Sequence, residues 1–130
     1  MPNRYSGNVL AFIGDGVITL HVRKFLVEKG YTKSKDLQQK SVIYVSANGQ
    51  ADFMQELLDS EFLSETEFNI YKRGRNANVG AVAKNASVVI YRIASGYEAL
   101  IGYLYYTDLE RMHVILDKML EFHVDKIIKK

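Results

Sequence analysis

Cysteine is absent from the 130 residues, which excludes a disulfide framework and any thiolate metal site and fits a reducing compartment. Long hydrophobic runs are absent as well: the longest uncharged apolar stretch falls well short of the roughly 20 residues that a membrane-spanning helix needs. The opening residues, Met-Pro-Asn-Arg-Tyr-Ser-Gly-Asn, lack the basic region, apolar core and small-residue cleavage site of a secretory leader. A cytoplasmic protein with no membrane partner is therefore expected. Period-two alternation is missing too, since Val88-Val89-Ile90-Tyr91 is strand-like but has no second run to pair with. Internal repeats, low-complexity tracts and linkers are not found. What is left is an ordinary globular composition, 48% hydrophobic and 25% charged. It predicts an all-α fold in a single domain spanning residues 1–130, large enough to bury most of the surface its unfolded chain would expose.

The helices can be placed from caps and periodicity. Ser6 to Asn8 can cap a first helix that stops at Gly30. Leu10, Ile13, Val17 and Leu20 form one apolar face of it, and Val9 and Phe12 lie on another. A helix apolar on more than one side is buried centrally or covered on one side by a partner chain, and Asp15 is expected inside that buried neighbourhood. Ser34 to Val45 reads as a second helix, and Ser46 can cap a third running through Ser60, although Asn48-Gly49 could instead form a turn. Ser64-Glu65-Thr66-Glu67 is a capping box, so a helix is expected from Glu65 to about Gly74. Arg75 to Ser87 reads as a loop, after which a helix resumes near Val88 and carries Glu98 through to Tyr106. Thr107 or Asp108 can cap the last helix.

Charge is close to balanced, at +2, but unevenly spread. From Asn69 to Tyr97 there are five basic residues, Lys72, Arg73, Arg75, Lys84 and Arg92, and no acidic one. A local positive field on a near-neutral chain is the footprint expected for a polyanionic ligand. In the opposite sense, Asp15 is the only charge in the apolar stretch Val9 to Leu20, and Glu98 the only charge from Gly96 to Tyr106. Each is set among glycines: Gly14 and Gly16 beside Asp15, Gly96 and Gly102 about Glu98. Carboxylates on apolar helices resist desolvation unless a cation meets them. Magnesium takes one or two protein carboxylates, keeps several waters and completes its shell with substrate phosphate. Glycines nearby would let a helix or a phosphate backbone come close. A cation and a basic loop in one domain point to phosphodiester chemistry, with water attacking phosphorus in line.

The segments Phe12-Ile-Gly-Asp-Gly-Val and Glu98-Ala-Leu-Ile-Gly-Tyr-Leu-Tyr resemble the two signature segments of the ribonuclease III catalytic domain, an endonuclease specific for double-stranded RNA. Tyr44-Val-Ser-Ala with Gln50, Arg73-Gly-Arg-Asn-Ala, Lys84-Asn and Tyr91-Arg resemble its compact bacterial branch, Mini-ribonuclease III, which lacks the carboxy-terminal double-stranded-RNA-binding domain. The resemblance implies that Asp15 and Glu98 are the catalytic, metal-binding carboxylates, with Mg2+ as cofactor. Long members of the family carry glutamate where this chain has Ala11 and aspartate where it has Ser95. One firmly held magnesium with a water-rich shell is therefore expected, Ser95 holding one such water. Phe12 matches an aromatic that inserts into a partner subunit, which implies a homodimer with one site for each RNA strand. RNA contacts are expected at Arg73, Arg75, Asn76, Lys84 and Asn85, meeting phosphates and 2′-hydroxyls. The implied substrate is precursor large-subunit ribosomal RNA, trimmed at both ends, with room for a ribosomal protein that presents it. The competing reading is a non-cleaving RNA-binding or ribosome-associated module on the same fold. His21, His113 and His123 have no metal-type spacing, and the tyrosines, mostly at helical spacing beside apolar residues, are expected in the core rather than as base-stacking platforms.

Overall fold

The computed structural model describes residues 4–77 and 86–128, and among them every regular element is a helix. Six follow in order: α1 (Gly7–Glu28), α2 (Ser34–Val45), α3 (Ala47–Asp59), α4 (Glu65–Arg75), α5 (Ala86–Thr107) and α6 (Leu109–Ile128). The architecture is all-α, as composition and periodicity predict. No helix among the described residues is long and apolar enough to cross a membrane.

The ends form where local chemistry demands. The Ser6 hydroxyl accepts from the Val9 amide at 3.2 Å, and Ser46 does the same for Gly49 at 3.1 Å, which settles Asn48-Gly49 as helix rather than turn. The capping box at Ser64 and Glu67 is closed in both directions, at 3.1 and 2.9 Å. At the other end of α1, Gly30 takes φ +106°. Its amide and that of Tyr31 bond back to the Val27 and Leu26 carbonyls, the left-handed stop that glycine accepts without strain. Asp108 starts α6 by accepting from the Arg111 amide at 3.0 Å.

α5 is the central element. From Gly96 to Gly102 every residue is buried except Glu98, which is half-buried, and a helix covered on all sides has to run through the middle of a bundle. α1, α3, α4 and α6 all pack against it. Ile18 and Val22 of α1, Tyr44 of α2, Phe53 and Leu57 of α3, Tyr97 and Leu100 of α5, and Ile115 and Leu116 of α6 share one apolar cluster. Three tyrosines, Tyr44, Tyr71 and Tyr97, are among its fully buried side chains, whereas Tyr91, Tyr105 and Tyr106 are exposed, so the core role expected of the tyrosines holds for only part of them.

The buried face of α1 differs from the one that the apolar spacing suggests. Gly7, Leu10, Gly14, Ile18, Val22 and Leu26 face inward, whereas Leu20 is 68% and Phe12 80% exposed. Asp15 is also exposed rather than buried. The reason is that glycines belong to the inward stripe: α1 turns its Gly14 side to α5, and rotating that side inward carries Asp15, Phe12 and Leu20 to the surface.

Candidate active site

The crossing of α1 and α5 sets the position of both carboxylates. A methyl group built on Gly14 would lie 1.8 Å from the Glu98 carbonyl oxygen, and one on Gly102 would lie 2.0 Å from the Leu10 carbonyl oxygen. Helices bearing ordinary side chains pack with axes about 8–10 Å apart; bare Cα atoms on both sides of the seam let these two backbones touch. Because Gly14 precedes Asp15 and lies on the Glu98 backbone, the two side chains emerge together at the edge of the seam. The Glu98 carboxyl is pushed up from 4.5 to about 8, first by burial and then by the hydrogen bond and negative charge of Asp15, with the Gln50 amide opposing.

Gln50, in the sequence only part of a motif, gains a location in the structure. It is 1% exposed on α3, its Nε2 donates to the Val45 carbonyl at 3.3 Å, and its side chain also reaches the Glu98 carboxyl. Its Oε1 is buried and has no hydrogen-bond partner among the described residues. Ser95, one turn before Glu98, is half-buried. Ala11, one turn before Asp15, packs beside Leu10, Ile70 and Ala99, so neither position returns a carboxylate to the site.

The basic residues arrive through a second glycine contact. A methyl group on Gly74 would fall 2.5 Å from the Ala99 Cβ and 2.9 Å from the Ser95 carbonyl, so the end of α4 rests on the α5 turn that carries Glu98. Arg73 and Arg75 flank that contact. Arg73 is partly engaged, donating to the Tyr5 carbonyl. The Arg75 guanidinium lies over the Tyr71 ring, 5.5 Å from its centroid, and its Nε donates to Asn76 at 3.3 Å. Arg73 and Asn76 line a surface groove of about 580 Å3 together with Ser6, Asn8, Asn69 and Lys72. Arg73, Arg75 and Asn76, three of the five expected RNA contacts, thus sit together at the end of α4, whose Gly74 rests on α5; Lys84 and Asn85 lie outside the described residues. Asn69 and Lys72 are not among the contacts expected from the sequence, yet Asn69, Lys72, Arg73 and Asn76 have the i, i+3, i+4, i+7 spacing of one helix face, the signal that would have found them. Asn8 joins them from α1, where it is seven residues before Asp15 on the same face, about 10 Å along the axis.

The histidines are elsewhere. His21 meets Asp117 at 3.2 Å, His113 meets the Leu109 carbonyl at 2.9 Å, and the fully buried His123 meets the Gly49 carbonyl at 2.9 Å. Burial holds His123 below its ordinary pKa.

Comparison with known proteins gives this geometry a family. A model of the ribonuclease III domain matches residues 8–109. The chain belongs to the ribonuclease III domain family. It is 45% identical over 115 residues to Mini-ribonuclease 3 of Streptococcus pneumoniae, a match covering 88% of this chain and 90% of that one. Mini-ribonuclease 3 of Enterococcus faecalis is 40% identical over 122 residues, covering 94% and 90%. A crystal structure of a Fusobacterium nucleatum protein superposes with a TM-score of 0.77 at 27% identity, over 92% of this chain and 95% of that one. Family membership makes the chain an endoribonuclease, and the family works with a divalent cation.

The residues present suit such a cation. Asp15 and Glu98 offer oxygen only, the donor a hard cation prefers, and magnesium needs no more than one or two carboxylates when water and phosphate supply the rest. Among the described residues no cluster of three or more histidine or acidic side chains is poised to hold a metal. The raised Glu98 group gives a testable pH dependence. A cation held by Glu98 would have to displace its proton below about pH 8, so if Glu98 is a ligand the apparent Mn2+ affinity is expected to rise about tenfold per pH unit toward pH 8 and then level off. The metal-free fold goes the other way. The folded-state value lies above the unfolded one, so the folded protein holds a proton the unfolded chain has released, and stability falls as pH rises from about 4.5 to about 8. Thermal melts from pH 5 to 9, in chelator and in Mn2+, separate the two slopes.

Proposed function

We propose that this chain is a Mg2+-dependent endoribonuclease that cleaves double-stranded RNA, with Asp15 and Glu98 as its catalytic and metal-binding carboxylates. The observation that carries the reading is the meeting of these two side chains at the glycine seam of α1 and α5. A bound magnesium would supply the positive charge that activates water and offsets the charge developing on phosphate oxygens. The protein's own part is positional. Glu98, half-buried, is the fixed member of the pair, and Asp15, exposed, faces the incoming backbone. The groove lined by Lys72, Arg73 and Asn76 holds phosphates and 2′-hydroxyls in this reading, and Ser95 takes part through water. Lys84 and Asn85, outside the described residues, are proposed as further RNA contacts.

Residues 1–130 act as one catalytic domain in this reading, in the cytoplasm. The substrate is precursor large-subunit ribosomal RNA, matured at both ends, and a ribosomal protein that presents the RNA fits the scheme. A perfect RNA duplex incubated with the protein in Mg2+ and in chelator tests it. Cleavage in Mg2+ alone is expected; duplex binding with no cleavage in either lane overturns it and favours a non-cleaving RNA-binding module.

A homodimer is part of the same proposal. Val9, Phe12 and Leu20 are 45%, 80% and 68% exposed and share the outer side of α1 with Asp15 and Gly16. A single site would only nick a duplex, whereas two sites related by a twofold axis cut both strands. Phe12→Glu is expected to weaken self-association at least tenfold by sedimentation, since it would place a charge in an apolar seam. A variant that sediments like the wild type would remove Phe12 from the dimer contact.

A further inference from the structure

Gln50 is an unusual residue for its surroundings. It is 1% exposed in a helix whose other buried members include Ala51, Phe53, Met54 and Leu57, and a leucine would fill a similar volume without burying polar atoms. Its amide is nonetheless held firmly in place. Gly49 lies so close to the preceding helix that a methyl group there would fall 2.1 Å from the Ile43 carbonyl oxygen, and this contact fixes the start of α3 against the end of α2. From the other side His123 anchors the Gly49 carbonyl at 2.9 Å, with its second ring nitrogen 3.1 Å from the Lys126 ammonium. Lys126 can only donate, so Nδ1 accepts and the Nε2 hydrogen points at Gly49. The next residue is Gln50, whose Nε2 donates to Val45 and whose side chain reaches Glu98, while Oε1 remains buried without a donor. A rigid path thus runs from α6 through the α2–α3 corner to the carboxyl of Glu98.

We infer that Gln50 is a positioning residue for the cation site, its buried amide bracing the Glu98 carboxylate toward Asp15 and keeping an acceptor in reserve for the hydration shell of the bound ion. The inference rests on the proposed cation-binding role of Asp15 and Glu98. It explains why an amide is kept where an apolar side chain would pack: a ligating carboxylate is oriented by hydrogen bonds from behind, and loss of such a partner typically lowers metal affinity about 10–100-fold. A neutral amide suits this place better than a third acid, because it can donate to Glu98 without adding to the repulsion between Glu98 and Asp15.

The test compares wild type with Gln50→Leu by Mn2+ titration calorimetry, by melting in chelator and by duplex cleavage across Mg2+ concentrations. Gln50→Met serves as a second variant in case leucine disturbs the α3 packing. The expected result is an about 10–100-fold weaker Mn2+ affinity with a melting temperature in chelator no lower than that of wild type. Cleavage by the variant should recover as Mg2+ is raised, while the KM for duplex stays unchanged. A residue that merely supported the fold would lower the melting temperature and would not be rescued by Mg2+. Wild-type Mn2+ affinity in the apolar variants overturns the role of Gln50 and leaves the cation site standing; a wild-type protein that neither binds Mn2+ nor cleaves overturns both.

Discussion

Asp15→Asn and Glu98→Gln are each expected to abolish Mg2+-dependent cleavage of an RNA duplex, by about a thousandfold or more, equivalent to roughly 4 kcal/mol of barrier. The size follows from the donor count. With two carboxylates at the seam and no third acid joining them among the described residues, removal of either halves the anionic charge proposed to hold the ion. Both replacements keep the shape of the side chain, so the fold should survive. Asp15→Asn should in fact melt no lower than wild type in chelator at pH 8. Asp15 is one of the causes that raise the Glu98 group, and neutralising it relieves the repulsion that an ionised Glu98 feels. Duplex binding, for which the groove at the end of α4 is proposed, should remain. Cleavage retained by either variant would remove that residue from the chemistry; a collapse in melting temperature would show that the carboxylate serves the fold.

The helix boundaries are readable because they depend on local chemistry. Ser6, Ser46, the Ser64 and Glu67 box and Gly30 each satisfy backbone groups within a few residues of themselves, and each ends or begins a helix where expected. The rotation of α1 is not readable from apolar spacing. Leu10, Ile13, Val17 and Leu20 form a respectable stripe, but the inward face is set by Gly14, which has no hydropathy to register and works only because Gly102 and the Glu98 backbone are opposite. The same blindness affects Gln50. A buried amide looks like any surface glutamine in one dimension, and only the packing of α3 against α5 brings it to Glu98. The basic cluster is visible as a run of charge, while its division is not: Arg73 donates to the Tyr5 carbonyl, Arg75 lies over the Tyr71 ring and Lys72 over the Phe68 ring, and of these Lys72 and Arg73 line the groove with Asn69 and Asn76.

The two glycines beside Asp15 should respond in opposite ways to alanine. In Gly14→Ala the new methyl would begin 1.8 Å from the Glu98 carbonyl oxygen and 3.0 Å from the Gly102 nitrogen. Both are backbone atoms, so no rotamer change relieves the clash and α1 must lift away from α5, loosening the contacts of Leu10 and Ile18. Overpacking of this kind costs about 3 kcal/mol or more, a large share of the roughly 5–15 kcal/mol by which domains are stable, and a fall in melting temperature of about 10 °C is expected. In Gly16→Ala the methyl meets nothing within 4 Å, and replacing glycine in a helix interior should stabilise by up to about 1 kcal/mol. Melts of dilute protein in chelator measure both without help from cation or self-association. Cleavage then gives Gly16 its meaning. A stabilised Gly16→Ala that cuts poorly would show that the bare Cα makes room for RNA or for a second subunit, whereas one that cuts normally would leave Gly14 as the only glycine beside Asp15 that the site requires. Equal destabilisation of the two variants would contradict the one-sided seam, because only Gly14 has a neighbour for the added methyl to strike.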